Sequence, residues 1–192
     1  MLAGRSRLTH LIVIAIVLAV VTITVSSGHF GIGHNSPSTP PAVVVPLGTP
    51  TDRDQQVIAN AHTLDVDGHE EDALTTLHSL LKSPDPAAAA ESLLATAKIQ
   101  IELDEISAAI KTLTTLRTEY PQSPQADDAQ LILGQARASQ GDDLDAIREL
   151  TPYAKRHEGI APYVNLLIAG YLEDTGKWKD ALALAKSVAS LP

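Results

Sequence analysis

The apolar residues of this 192-residue chain follow two different patterns that meet near residue 50. Residues 11–21 form an unbroken apolar run, and no charged side chain occurs between Arg7 and Asp52. The uncharged stretch from Leu8 to Ser27 has 20 residues. As a helix it would be about 30 Å long, which matches the hydrocarbon core of a bilayer. The pattern therefore predicts a transmembrane signal-anchor helix over residues 8–27.

The residues around this helix predict its orientation. Arg5 and Arg7 lie in a short tip of residues 1–7. By the positive-inside bias, the tip is expected in the cytoplasm and the rest of the chain on the exported side. A cleavable signal peptide is the alternative, since its apolar core has a similar length and Ser26 and Gly28 are small. Both interpretations place the remaining residues outside the cytoplasm.

Residues 28–51 are rich in Gly, Pro, Ser and Thr and carry no charge. Their five prolines exclude a long helix and favour an extended backbone. The segment is predicted to be a linker, either a passive spacer or a segment whose stretch 42–47 docks on a partner as a strand. His29 and His34 have no carboxylate nearby, so they are expected to be loop residues and not metal ligands.

From residue 52 onward the apolar positions repeat with a period near 36. Five columns keep one register through four copies. A small residue is followed by a turn former, an alanine and two larger apolar positions. The columns are Ala61, Ala97, Gly134 and Ala169; Gly68, Asp104, Gly141 and Gly176; Ala73, Ala109, Ala146 and Ala181; Leu77, Leu113, Leu150 and Ala185; and Leu80, Leu116, Tyr153 and Val188.

Each copy is expected to form a pair of helices joined by a short turn. The turn former ends the first helix, where a left-handed backbone costs Gly or Asp least. The alanine and the two apolar residues then mark one face of the second helix. A single pair cannot bury its own apolar face and must stack on its neighbour. The sequence predicts an all-α solenoid of about four hairpins, with units near residues 54–86, 87–123, 124–158 and 159–192.

These columns resemble the tetratricopeptide repeat family over residues 54–191. The third copy, residues 127–158, keeps the pattern most completely. Leu150 and Ala185 stand where the family usually has Phe, and the spacing exceeds the usual 34 residues. These departures favour a diverged repeat of the bacterial periplasmic type. The whole layout resembles inner-membrane proteins with one anchor and an exported repeat domain, such as the ancillary subunit of the bacterial protein translocon.

Charge and composition narrow the possible functions. Residues 52–192 contain 12 basic and 23 acidic side chains, a net charge of −11, and aromatic residues make up 3% of the chain. Such a surface argues against binding nucleic acid, which needs a basic face or stacking aromatic residues. It should also be repelled by anionic lipid headgroups. The absence of cysteine excludes thiolate metal sites and cysteine nucleophiles.

Candidate catalytic chemistry is sparse. Residues 65–72 contain an acidic D-x-D-G stretch, which fits either a calcium loop or a turn followed by acids in the first turn of a helix. His62, His69 and His78 do not have metal-ligand spacing, and the chain has no G-x-S-x-G elbow and no glycine-rich phosphate loop. We therefore predict no catalytic residue, no cofactor and no metal site, and we do not expect an enzyme.

The first helices of stacked hairpins line a concave surface. By register, that surface is expected to include Ile58, His62, Leu94, Lys98, Leu131, Gln135, Leu166 and Gly170. Trp178, just after the fourth turn, is expected either to pack in the core or to anchor a partner. Only Lys98 matches the cations with which family members clamp a C-terminal carboxylate. The mixed apolar and polar lining fits an extended peptide or a partner helix. The alternative is that core packing covers much of this surface.

Together these features predict a non-catalytic interaction scaffold. We expect an accessory or assembly subunit of a bacterial inner-membrane protein complex, with its repeat domain in the periplasm and its lipid contact at residues 8–27. The alternative is a soluble periplasmic adaptor that binds peptides or client proteins after signal cleavage near His29. In either case the expected partner is a protein.

Overall fold

The structure, a computed structural model, describes residues 50–189. This part of the chain folds into eight helices and contains no strand. The helices are α1 (Asp52–Val66), α2 (Glu70–Leu80), α3 (Pro86–Glu102), α4 (Ile106–Glu119), α5 (Pro124–Ser139), α6 (Asp143–Arg156), α7 (Ala161–Asp174) and α8 (Trp178–Ala189).

Consecutive helices pair into four antiparallel hairpins, and each hairpin packs on the next. The pairs are α1–α2, α3–α4, α5–α6 and α7–α8. The second helix of each hairpin contacts the first helix of the following one, and α3 also contacts both α1 and α5. The predicted all-α solenoid of four hairpins is therefore confirmed for residues 50–189.

All four turns within the hairpins have the same backbone structure. The second residue after each first helix has a left-handed φ: 80° at Gly68, 61° at Asp104, 89° at Gly141 and 75° at Gly176. The next residue donates its N–H to a carbonyl five residues earlier, as His69 does to Leu64 at 2.8 Å and Asp142 does to Arg137 at 3.0 Å. This is the Schellman motif, which satisfies the last carbonyls of the first helix.

The first helices of the first three hairpins begin at polar caps. The hydroxyl of Thr51 accepts the N–H of Asp54, the carboxylate of Asp85 accepts the N–H of Ala87, and Ser123 accepts that of Ala126. Pro86 and Pro124 follow two of these caps. Each cap satisfies an N–H that has no partner within the helix, and proline suits the first helical position. These short signals define where each hairpin starts.

The repeated small residues bring the paired helices close together. The columns of Ala61 and Ala73 are buried in all four copies, and Leu77, Leu113 and Leu150 are fully buried above them. In the fourth copy, Ala185 replaces the leucine and is only half-buried. The core therefore runs along the stack and thins at its C-terminal end.

Polar contacts join successive hairpins. The hydroxyl of Ser92 in α3 donates to the carbonyl of Leu77 in α2 at 2.7 Å, in a buried position. Arg117 in α4 pairs with Glu149 in α6 at 2.6 Å. These contacts are specific to one register of stacking, so they complement the less directional apolar packing.

The predicted N-terminal tip, transmembrane helix 8–27 and linker 28–51 lie outside the described residues, apart from the last two linker positions. Within residues 50–189, none of the helices is both long enough and apolar enough to cross a membrane.

Candidate protein-binding surface

The structure distributes the predicted concave-face residues over three environments. Ile58, Lys98 and Gly170 are half-buried, whereas His62, Leu166 and Trp178 are exposed. Leu94, Leu131 and Gln135 lie in the interior. The apolar column of this face is therefore taken up by packing in the two inner hairpins, and the side chains that remain available there are mainly polar.

A stripe of charged residues on α3 continues onto α5. Glu91, Lys98 and Glu102 are spaced by seven and four residues, which places them on one side of α3. Asp128 on α5 lies 37 residues after Glu91, at the equivalent position of the next copy. We call the surface formed by these four residues the acidic face.

Burial dominates the electrostatics of the acidic face. Burial raises the pKa of Glu91 and of Asp128, and in both cases the nearby Lys98 acts in the opposite direction. Burial also raises the pKa of Glu102, with a further increase from the charges of Asp65 and Glu70. One ammonium group therefore lies close to three partly desolvated carboxylates.

These charges are not neutralised by contact pairs. None of the ion pairs between described residues includes Glu91, Lys98, Glu102 or Asp128. By contrast, the neighbouring Asp127 pairs with Arg156 at 2.9 Å, and Arg156 also donates to Gln130 at 2.6 Å. Asp127 is thus held in the structure of the third hairpin, whereas Asp128 next to it remains available to a ligand.

Gln135 adds a buried amide beside this surface. Its side chain is 3% exposed, and its Nε2 donates no hydrogen bond within the described part of the chain. The side chain approaches Tyr163 on α7, where it opposes the increase in the Tyr163 pKa that burial causes. Because its amide is enclosed by the protein, Gln135 belongs to the packing between α5 and α7 and is out of reach of a ligand.

The D-x-D-G stretch forms the end of α1. Gly68 occupies the left-handed turn position, and Glu70, Glu71 and Asp72 form the first turn of α2, where acids complement the helix dipole. Burial raises the pKa of Asp65, and the adjacent His62 lowers it. Across residues 50–189, no group of three or more His, Asp or Glu side chains is placed to hold a metal ion.

Of the acidic face, sequence reasoning found only Lys98. Glu91, Glu102 and Asp128 were missed because acids on a helix are ordinarily solvated and carry no recognisable motif. A signal was present, since Glu91 and Asp128 occupy one column of the repeat. Extending the column comparison from apolar to charged positions would have indicated them.

Comparisons with known proteins agree with this architecture. Residues 91–123 match the family model described as tetratricopeptide repeat. That segment runs from Glu91 in α3 to the cap of α5, so it corresponds to the second hairpin, although the third copy keeps the family pattern more completely. No curated protein sequence matches the chain.

One solved structure shows the same fold. It is a crystal structure of nearly identical TPR-like repeats from a protein described as a kinesin light chain of Podosopora anserina. The two chains are 14% identical and superpose with a TM-score of 0.58, covering 98% of this chain and 90% of the other. At this identity the similarity concerns the fold alone. Together with the family-model match over residues 91–123, it shows that the described residues fold as helical repeats of the tetratricopeptide type.

Proposed function

We propose that this chain is a non-catalytic scaffold that binds a positively charged segment of a partner protein on the acidic face. Helical repeats of this type are generally interaction surfaces. We further propose that the chain is an accessory or assembly subunit of a bacterial inner-membrane complex, with its repeat domain in the periplasm. The uncharged stretch 8–27 and the preceding Arg5 and Arg7 support this location.

The observation that carries the proposal is the unpaired negative charge on α3 and α5. Glu91 and Asp128 are partly desolvated, which raises their pKa values, and neither belongs to an ion pair between described residues. Lys98 is the one cation that acts on both carboxylates, so a Lys or Arg side chain of a partner would add countercharge that they still lack. Since these carboxylates have already lost part of their hydration, such a contact would be stronger than an exposed ion pair.

The ligand chemistry is therefore a peptide segment with at least one basic side chain, presented as an extended chain or as a helix.

The test is recovery of the full-length chain from native membranes in mild detergent, with intact mass of the recovered protein. We expect the uncleaved chain to arrive with a stoichiometric membrane complex. The double variant Glu91→Lys and Asp128→Lys should lower this recovery at least about tenfold, because it reverses the charge that the partner contacts. The matched control, Glu119→Lys and Glu158→Lys, changes the net charge equally at two exposed positions and should retain the complex.

Two results would contradict the proposal. If the two double variants lost the complex equally, or retained it equally, the acidic face would be ruled out as the binding surface. A chain that begins near His29 and is found in the soluble fraction with varied clients would replace the accessory subunit with the periplasmic adaptor.

A further inference from the structure

The two ends of the helical stack differ in chemistry. At the C-terminal end, Leu166, Trp178 and Leu182 are 51%, 63% and 56% exposed. We call the surface formed by these three residues the C-terminal end face. Leu166 belongs to α7, and the other two residues occupy adjacent turns of α8.

Equivalent residues of the inner hairpins are covered. Leu94 and Leu131, in the column of Leu166, are 7% and 2% exposed. The column of Trp178 holds Ile106, 9% exposed, in the second copy and the acids Glu70 and Asp143 in the first and third copies. Leu182 likewise corresponds to residues that are half-buried in all three preceding copies: Leu74, Ile110 and Ile147. At Leu166 and Leu182 the C-terminal end face thus has the composition of a surface between hairpins, but no hairpin among the described residues covers it. Apolar surface of this kind, adjacent and uncovered, is typical of an association site.

The N-terminal end presents the opposite chemistry. Four repeat columns of the first helices hold residues in α3 and α5 that are mostly buried. Most of these residues are small or apolar, such as Ala89, Ile99 and Leu133. In α1 the same columns hold four exposed polar side chains: Arg53, Gln56, Asn60 and Thr63. This end therefore has the polar surface of a capping repeat.

This asymmetry restricts how two copies can associate. A head-to-tail contact would press the apolar C-terminal end face of one copy against the polar end of α1 in the next. An isologous contact instead places the same apolar face on both sides of a two-fold axis, and it closes after two copies. The difference between the ends favours the closed dimer.

Charge favours the same contact. Residues 52–158 carry a net charge of −11, so most surfaces of two copies repel each other. In residues 159–192, by contrast, three lysines balance three acids, namely Lys177, Lys179 and Lys186 against Glu173, Asp174 and Asp180. The fourth hairpin is the neutral one, and it carries both signs that a self-complementary interface requires.

We propose that the C-terminal end face is a homodimer interface, in which α7 and α8 of a second copy of this chain cover Leu166, Trp178 and Leu182. The second copy takes the place that a following hairpin has inside the stack. This assembly is independent of the acidic face, because the proposed peptide site lies on α3 and α5. Either proposal can therefore fail without the other.

The first test measures the mass of the full-length chain by sedimentation equilibrium in density-matched detergent. We expect a species of twice the mass of one chain. Leu182→Glu and, separately, Leu166→Glu should each raise the dimer dissociation constant at least about tenfold, because each places a charge in an apolar interface. Leu144→Glu is the matched control, since Leu144 is also 56% exposed but its column is exposed and otherwise polar.

The second test uses the absence of cysteine from the natural chain. Single substitutions Trp178→Cys, Leu182→Cys and Lys186→Cys follow one side of α8, and at least one of them should give a covalent dimer with a short bis-maleimide. A single cysteine links two copies only where a position approaches its own equivalent, which an isologous interface requires. Gln56→Cys at the polar end should give no such product.

Several outcomes would overturn the proposal. These are a monomeric native chain, a dimer that neither glutamate variant weakens, an open-ended series of larger species, or cross-linking from Gln56→Cys alone. Far-ultraviolet circular dichroism of the glutamate variants separates loss of pairing from loss of folding. The cysteine series provides an independent answer if one glutamate variant unfolds.

Discussion

Gly134 occupies a position where the backbone of α5 touches the side chain of Leu150 in α6. A Cβ at Gly134 would lie 2.6 Å from Cγ of Leu150 and 2.7 Å from its Cδ2. Leu150 is fully buried, so it has little space into which it can move. In α7 the equivalent of Gly134 is Ala169, and Gly170 is the residue after it; a Cβ at Gly170 would meet no atom within 4 Å.

The two glycines predict opposite effects of one substitution. Gly134→Ala should lower the free energy of unfolding by about 1–3 kcal/mol, because overpacking outweighs the better helix propensity of alanine. Gly170→Ala should raise it by about 0.5–1 kcal/mol, because only the helix propensity changes. Urea denaturation of the full-length variants measures both. An equal increase in the two variants would show that α5 and α6 can separate at no cost.

At the scale of the elements, the four hairpin turns share one backbone structure but not the same residue in its left-handed position. Three turns use glycine in the left-handed position, and the second uses Asp104 with a φ of 61°. A side chain in this region costs about 1–2 kcal/mol, although Asp tolerates it better than most residues. The second hairpin therefore contains a small strain that the other three avoid.

Replacing this aspartate should stabilise the protein. We expect Asp104→Gly to raise the free energy of unfolding by about 1 kcal/mol, because glycine adopts the turn without a steric penalty. The reverse change, Gly141→Asp in the third turn, should lower it by a similar amount. Thermal unfolding followed by circular dichroism gives both shifts. A stabilising effect of Gly141→Asp would contradict this account of the turns.

Some features of the helices and turns could be predicted from the sequence and others could not, for physical reasons. The turn at Gly141 and the small residue at Ala73 could be predicted because backbone handedness and close helix contact demand particular residues within one repeat. The burial of Leu131 could not, since register shows that it shares a face with Gln135 but not how far neighbouring hairpins overlap. The exposure of Trp178 likewise depends on what lies beyond its own helix.

At the scale of the whole molecule, the acidic face contains charges that interact between neighbouring hairpins. Lys98 on α3 acts on Asp128 of α5, and His62 of α1 acts on Glu102 of α3. Their charges therefore respond to how the hairpins stack. A surface of this kind links the ionisation of the protein to its folding and to the proposed binding of a basic segment.

This link predicts a particular dependence of stability on pH. Burial raises the folded-state pKa of Glu91 above its ordinary 4.5 and that of Asp128 above its ordinary 3.8. The folded state then binds more protons than the unfolded state, so the free energy of unfolding falls as the pH rises from those ordinary values through the raised ones. Chemical denaturation across this range should show the fall.

Variants isolate the contribution of these groups. Glu91→Gln and Asp128→Asn should each be more stable than the native protein at neutral pH. The gain should disappear well below pH 3.8, where both native carboxyls are protonated even in the unfolded chain. Glu119→Gln, at an exposed carboxylate of α4, provides the comparison. A gain that persists unchanged at acid pH would mean that the ionisation of these groups is not its cause.

The uneven depth of the core has a consequence for local unfolding. Among its described residues α8 fully buries only Ala181, whereas α3 and α5 each bury ten residues. In a linear stack each hairpin is held only by its neighbours, so the fourth can open while the other three remain folded. An unpartnered copy would expose this end first to proteases. A second copy that covers the C-terminal end face would stabilise the folded fourth hairpin by mass action. Dimer formation would then also protect the protein from degradation.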